Sequence, residues 1–515
     1  MNCMCSFNMK EVTQKFFLLI GTIIFFTLIG CGEKKTDTKK EELIVAQEGE
    51  PKSLDIHKGN DGFSLRINKQ IYSRLVESNG KMEVEPGLAE SWKNIDEKTT
   101  QFKLRKGVKF HNGDDFTAKD VKFSFERMKN SPRISFVLPP IEKIEIIDKY
   151  TVNIVTVTPF APLMAHLSHP ALGIVSEKMV SQNPEALTLT PIGTGPYKFL
   201  EWKLGDRVIL ERNDNYFLKK SNFKKLIYKN IVEASNRVIG LETKEIDIAL
   251  SISAVDQEMI KEHSELELLT KPSLSYNYIG FNMNKEKFKD IRVRKAINYA
   301  IDKQSIVDVV LNKGGKIATS PLAPSIFGFT NKTKAYEFDL KKAKALMKEA
   351  GLEKGFTTSI YVVNGEIDKQ IAEIVQANLK EIGIELKILV TENSSYWDMT
   401  AKGNHDMFLG SWGCVTGDAD YGLYSMYHST AKGASGNRTF YSNSEVDKML
   451  DQGKIEINKE KRKKLYEKIQ LQIVEDAPEI MLFNRELAVG VQKNIKGFEV
   501  HPVTLHDFYP VFILN

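Results

Sequence analysis

An α/β fold is what this 515-residue sequence predicts, and three observations carry the prediction. The first is an alternation of helix and strand patterns, with short connections, between residues 339 and 390. DLKKAKALMKEAG (339–351) starts at Asp339 and stops at Gly351, with Leu340, Ala343, Met347 and Ala350 inward. TTSIYVV (357–363) follows as a strand. EIDKQIAEIVQANLKEIG (366–383) stacks Ile367, Ile371, Ile374, Val375, Asn378 and Ile382 on one side, and GIELKILV (383–390) alternates as a second strand. That order predicts a largely parallel sheet covered by helices, with ligands at the carboxyl ends of its strands. The second observation is GPYKFLEWKLGDRVILERNDNYF (195–217), two strands joined at Gly205-Asp206. The third is HNGDDFTAKDVKFSFERM (111–128). Its Asn-Gly turn leads into Thr117 and Asp120, spaced like a capping box, and then Val121, Phe125 and Met128 at helical spacing. DIRVRKAINYAID (290–302) adds a helix opening at Asp290, with Ile291, Ala296, Ile297, Ala300 and Ile301 broadly on one face.

The N-terminus predicts a compartment. Lys10 and Lys15 precede FFLLIGTIIFFTLIG (16–30), an uncharged run long for a signal-peptide core and short for a membrane span. It ends in Leu28-Ile29-Gly30-Cys31, which resembles a bacterial lipobox. Residues 1–30 then read as a lipoprotein signal peptide, and Cys31 as the lipidated first residue of the mature chain. The other reading is a signal anchor with an incidental Cys. Lipid on Cys31 implies attachment to the extracytoplasmic side of the cell membrane. GEKKTDTKKEE (32–42) has no large apolar residue to offset chain entropy, so 31–42 reads as a flexible tether. LIVAQ, from Leu43, opens the folded part.

Composition excludes several classes. With 42% hydrophobic and 27% charged residues the chain is of ordinary globular type. A net charge of +5 from 72 basic and 67 acidic residues does not suggest nucleic acid. Of four Cys, Cys3 and Cys5 leave with the signal and Cys31 is the lipid site. Cys414 alone remains, so no disulfide and no cysteine metal cluster is expected, and the thiol reads as buried and inert. No repeat of 20–50 residues and no low-complexity tract beyond the tether is present. The patterns H-E-x-x-H, G-x-S-x-G and G-x-x-x-x-G-K-[ST] are absent. Gly193-Thr194-Gly195 runs at once into Pro196, so it reads as a turn entering a strand rather than a dinucleotide loop. His166 and His169 are too few for a metal site and read as packed or surface residues. One segment resists these classes. SWGCVTGDADYGLYSMYHS (411–429) is too aromatic for a disordered loop and too irregular for a core helix. Its residues alone suit a catalytic site, a metal or ligand site, or a packed loop.

Order and spacing of several stretches resolve the matter. EPKSLDIHK (50–58), YSRLVESNGKMEVEPGLAESW (72–92), FKLRKGVKFHNGDDFTAKDVKFSFERM (102–128) and PIGTGPYKFLEWKLGDRVILERNDNYF (191–217) occur in that order. IGFNMNKEKFKDIRVRKAINYAIDK (279–303), KALMKEAG (344–351), VQANLKEIGIELKI (375–388) and the 411–429 segment continue it. Together they resemble the peptide/nickel/glutathione class, family 5, of extracellular solute-binding proteins that feed ABC importers, over essentially all of the mature chain. FYSNSEVDKMLDQG (440–453) and VEDAPEIMLF (474–483) look most like its glutathione- and dipeptide-binding branch. The resemblance implies a two-lobed periplasmic-binding-protein-like α/β fold (type II, cluster C) that closes on a ligand at a hinge. Lobe I is expected at 43–80, 194–283 and 488–515, an extra subdomain at 81–193, and lobe II at 284–487. It further implies a monomer without cofactor or enzymatic activity, partnered by ABC permease subunits.

A peptide enclosed by such a cleft presents an ammonium and a carboxylate, and leaving either unpaired costs several kcal/mol. In the family the ammonium partner is an Asp in a loop matched here by Trp412, Gly417, Asp418 and Asp420. Asp418 is therefore expected first and Asp420 second, with Trp412, Tyr421 and Tyr424 walling the pocket. The alternative is that both acids cap a turn and the Tyr pack inside. In dipeptide-binding relatives an Arg before the 366–382 helix takes the carboxylate. This sequence has Asn364, Gly365 and Glu366 there, so Asn364 and backbone N–H groups are the candidates. Asn60, Asp61, Ser64 and Arg438 are further candidate contacts, alongside Gly59. A nickel-chelate or haem ligand is the alternative within the same fold, with His428 as its contact.

Overall fold

Strand patterns collect into one large sheet in the computed structural model, which describes residues 40–59 and 61–514. The expectations for Cys31 and Asn60 lie outside those residues. The strands are β1 (Glu42–Gln47), β2 (Tyr197–Lys203), β3 (Arg207–Arg212), β4 (Lys225–Asn230), β5 (Ile248–Ala249) and β6 (Leu266–Phe281). β7 (Gly315–Ile317), β8 (Thr357–Val363), β9 (Glu385–Thr391), β10 (Met407–Gly413) and β11 (Glu479–Gln492) complete it. Their spatial order is β9-β8-β10-β6-β11-β5-β1-β4-β3-β2, with β7 also on β11. Expected as largely parallel, the sheet is mixed. Parallel pairing holds for β9-β8-β10 at one end and for β5-β1-β4 at the other. The centre and the β2–β3 hairpin are antiparallel. The helix–strand alternation that signals parallel pairing is local, and it says nothing about the strands that join the halves.

Those joining strands are β6 and β11. They pair from Leu266↔Gln492 to Gly280↔Glu479, with register shifts between Pro272 and Tyr276 and between Asn277 and Tyr278. Pro272 has no N–H to offer the ladder, and interrupted pairing is where a long ribbon bends. Each half of the sheet therefore reaches the other through two strands that are broken in register near their middle.

Local signals produced the elements they predicted. Thr117 and Asp120 form a reciprocal capping box on the helix Ala118–Lys129. Asp290 caps Ile291–Ala300 and Asp339 caps Leu340–Glu349. Gly351 takes the left-handed conformation, φ +73°, after the last turn of the latter helix. A separate four-stranded antiparallel sheet orders as Ala89–Asn94, Thr99–Leu104, Thr151–Thr156, Ile141–Asp148. Phe102, Val121, Phe125, Met128, Val152 and Ile154 bury between its strands and the capped helix. The same apolar cluster runs on through Phe160, Leu163 and Leu167 to Tyr421, Leu423 and Tyr427. Ala161 N–H donates to the Lys454 carbonyl at 2.7 Å. The 158–170 segment thus packs directly on the region that the sequence analysis left unresolved. Among the described residues no helix is long and apolar enough to cross a membrane.

Candidate functional site

Residues 411–429 form the end of β10, a turn and a helix. Four further elements are α1 (Gly62–Ile71), α2 (Glu366–Lys380), α3 (Ala419–Tyr427) and α4 (Lys459–Asp476). The sequence reading missed α3 because its glycine falls mid-helix. Gly422 is there because a Cβ would lie 2.6 Å from Leu322 Cδ2 and 3.4 Å from Cys414 Sγ. Gly417 turns the chain with φ +68°, and Asp418 caps α3 by accepting from the Asp420 N–H.

Asp418, the acid expected first, is already paired within the chain. Both its oxygens are held by Arg462 of α4, at 2.7 Å (Nη1–Oδ2) and 2.5 Å (Nη2–Oδ1). The guanidinium also donates to the Gly453 carbonyl and the Tyr466 hydroxyl. Burial alone would weaken this cation, but the adjacent Asp418 carboxylate outweighs it and holds the Arg462 pKa above its ordinary value. A bidentate, buried pair of this kind locks a turn onto a helix, and Asp418 carries its counter-charge within the chain.

Asp420 is the unassigned acid. It is 3% exposed. Its Oδ2 lies 3.2 Å from His166 Nε2, and its Oδ1 is buried without a hydrogen-bond partner. An orphaned buried carboxylate oxygen costs on the order of 1–3 kcal/mol or more, which makes it a place where a donor is wanted. His166 comes from the 158–170 segment, and its Nδ1 faces the Val137 carbonyl at 3.2 Å. Trp412 stacks on Tyr421 at 5.9 Å between ring centroids, and its indole Nε1 is likewise buried and unpartnered. His166 and His169 close round the far side of Tyr421. Tyr424 lies further out, stacked on His428 at 4.2 Å with the Lys454 ammonium above its other face.

A second group of idle polar atoms is cationic. Arg438 lies over the Trp397 ring at 4.6 Å, and Arg485, on β11, lies 5.7 Å from the Phe483 ring. The Nε of each is buried without a partner, and neither guanidinium makes an ion pair among the described residues. Burial lowers both pKa values, with the Asp368 charge opposing it at Arg485. Asp368 sits in the first turn of α2, where burial raises its carboxyl above the usual range against the pull of Arg485. Gly365 begins α2 with no side-chain cap, so the positive end of this helix dipole is open at the same place. Asn364, beside it, is exposed. No Arg stands in the segment immediately before α2. The guanidinium arrives instead from a strand some 120 residues later, which only the β6–β11 pairing brings near.

Parts of both groups meet at one rim of the sheet, Trp412 from the first and the Arg485 backbone from the second. Trp412, Tyr276 and Asn484 are register partners across β10, β6 and β11. With strands about 4.8 Å apart, Trp412 and the Arg485 backbone lie roughly 10 Å from each other. The rim includes the carboxyl ends of β8 and β10, as open α/β sheets arrange their ligands. Ser64 and Asp61 are likewise engaged within the chain. Ser64 is fully buried, accepts from the Lys52 and Ser53 N–H groups and donates to Asp61, while Asp61 caps α1. These two residues tie the 52–53 loop to the helix. His428 caps a short helix, with Nδ1 2.7 Å from Thr430 Oγ1. No group of three or more His, Cys, Asp or Glu able to hold a metal ion occurs among the described residues. Cys414 is buried and unpaired, and burial raises its thiol pKa.

Comparison with known proteins shows the family and the fold. Residues 83–434 match the model of the bacterial extracellular solute-binding proteins, family 5 Middle. The oligopeptide-binding protein AppA of Bacillus subtilis (strain 168) is 31% identical over 496 residues, 90% of this chain and 89% of its own. The ABC transporter-associated periplasmic binding protein DppA from Helicobacter pylori, solved with the peptide STSA, superposes with a TM-score of 0.85 at 30% identity. That match covers 93% of this chain and 99% of the other. NikZ from Campylobacter jejuni, solved with Ni(L-His), gives 0.79 at 28% identity, covering 92% and 99%. The chain therefore belongs to the family 5 bacterial extracellular solute-binding proteins and has their two-lobed α/β fold.

Proposed function

We propose that this protein is a lipid-anchored receptor that captures a short peptide, or glutathione, by hinge closure and delivers it to an ABC permease. It acts by binding, without turnover. The observation that carries the reading is the pairing of idle groups across the rim. Asp420 Oδ1 is an unpartnered acceptor, and Arg438 and Arg485 are cations without an ion pair among the described residues. The roughly 10 Å between Trp412 and the Arg485 backbone is the length of about three extended residues. A peptide zwitterion supplies both missing charges, its ammonium to Asp420 and its carboxylate to the guanidiniums and the open end of α2. Trp412 and Tyr421 then provide flat apolar wall between them. β6 and β11 serve as the hinge, and closure removes water and strengthens each polar contact. Cys31 provides the anchor.

A thermal-shift panel on the chain tests this with di- and tripeptides, glutathione, nickel–histidine and haem. A ligand at a hundred times Kd stabilises the folded state by about 2.7 kcal/mol. Peptides or glutathione are expected to raise the midpoint. A rise with nickel–histidine or haem alone overturns the peptide reading.

A further inference from the structure

A chamber of about 600 Å³ opens beside Arg485. Ile252 and Val255 line it from one half of the sheet, and Val309, Leu311 and Ile367 from the other, with β11 as its floor. Three of these apolar side chains have nothing over them: Val255 is 77% exposed, Val309 74% and Ile367 40%. Singly such exposure is ordinary, but here the three face a common hollow formed by both halves. Polar groups on its wall are mostly engaged or turned away. Arg66 is held by both oxygens of Glu48, His506 accepts from the His501 N–H, and Glu486 projects to solvent without pairing to Arg485. Among the described residues, the one idle cation at the chamber is the guanidinium that we assign to the ligand carboxylate.

We propose that the chamber receives the side chain of the ligand's C-terminal residue, so the protein selects peptides that end in a large apolar residue. This rests on the peptide reading and narrows it. A carboxylate on Arg485 fixes the last Cα beside the hollow, and the side chain on that carbon is the part of the ligand placed to fill it. The volume lies in the usual range for small-molecule sites and is more than one Leu or Phe side chain needs. Covering the apolar walls with such a side chain removes both surfaces from water. Peptides ending in Gly leave the walls wet, as does glutathione. Peptides ending in Asp or Glu bring a second anion among Val and Ile.

Calorimetric titration of the intact chain with Ala-Ala-Gly, Ala-Ala-Asp, Ala-Ala-Leu and Ala-Ala-Phe tests this. Leu and Phe termini are expected to bind about 10- to 100-fold more tightly than Gly, from the apolar area buried. Val255→Glu and Val309→Glu lie at exposed positions, and their ligand-free melting midpoints verify folding. Each is expected to shrink the Phe-to-Gly ratio to less than about threefold. Measurable but equal binding of all four peptides overturns the chamber assignment and leaves the peptide reading standing. So does a ratio that survives both Glu variants. Binding of none of the four overturns the peptide reading, and this inference with it.

Discussion

Replacing Asp418 with Asn separates structure from recognition in the 411–429 segment. Asn still caps α3, because its side-chain oxygen accepts from a backbone N–H as Asp does. What it removes is the negative charge from a pair whose side chains are 9% (Asp418) and 5% (Arg462) exposed. Arg462 is then left charged against neutral acceptors alone: the Asn oxygen, the Gly453 carbonyl and the Tyr466 hydroxyl. Breaking a buried pair from one side costs about 3–5 kcal/mol. With a urea m-value near 3 kcal/mol/M, the unfolding midpoint falls by roughly 1–1.7 M. The companion variant D418N/R462M removes both charges and is expected to recover most of that loss, since a buried pair replaced as a unit is often near neutral. Urea titration by fluorescence supplies the midpoints, and calorimetry the peptide affinities. If D418N leaves the urea midpoint in place and abolishes peptide binding, Asp418 is the ligand acid and the reasoning here is wrong.

Four further outcomes are expected. Asp420→Asn, at the orphaned carboxylate, should weaken peptide binding about 10- to 100-fold, the worth of a charged hydrogen bond, with little change in ligand-free stability; calorimetry on a variant of unchanged midpoint checks it. Glu479 is buried on β11 beneath the Tyr276 and Tyr427 hydroxyls, and burial pushes its pKa up to about 7. A raised carboxyl favours the protonated folded form, so stability should fall as pH rises from about 4.5 to 7 and level off above that. Glu479→Gln should flatten this slope in pH-dependent urea titrations. Gly193→Ala places a Cβ against the Ile71 carbonyl oxygen, 2.1 Å away before relaxation, and should lower stability by about 1–3 kcal/mol in the same titration. Cys414 should resist a thiol reagent such as DTNB in the folded protein and react on denaturation, because it is buried and its thiolate is disfavoured.

The sequence by itself determined the pieces whose physics is local. Asp290, Asp339 and Thr117–Asp120 cap their helices because a side-chain oxygen two or three residues from a free N–H has no competitor nearer. The periodicity of 357–391 and 366–380 needed only the burial of one face. It also marked 411–429 as an unusually aromatic stretch, which the family resemblance reads as a ligand wall. Tertiary structure decided which residues of that wall are free. Asp418 and Asp420 are two residues apart and alike in sequence. They differ because Arg462, 44 residues on, reaches one, and His166, 254 residues back, reaches only one oxygen of the other. Arg485 carries no motif and lies far from α2 in the chain. The pairing of β6 with β11 brings it to the helix's uncapped end, and contacts made over such separations leave no periodic trace in the sequence.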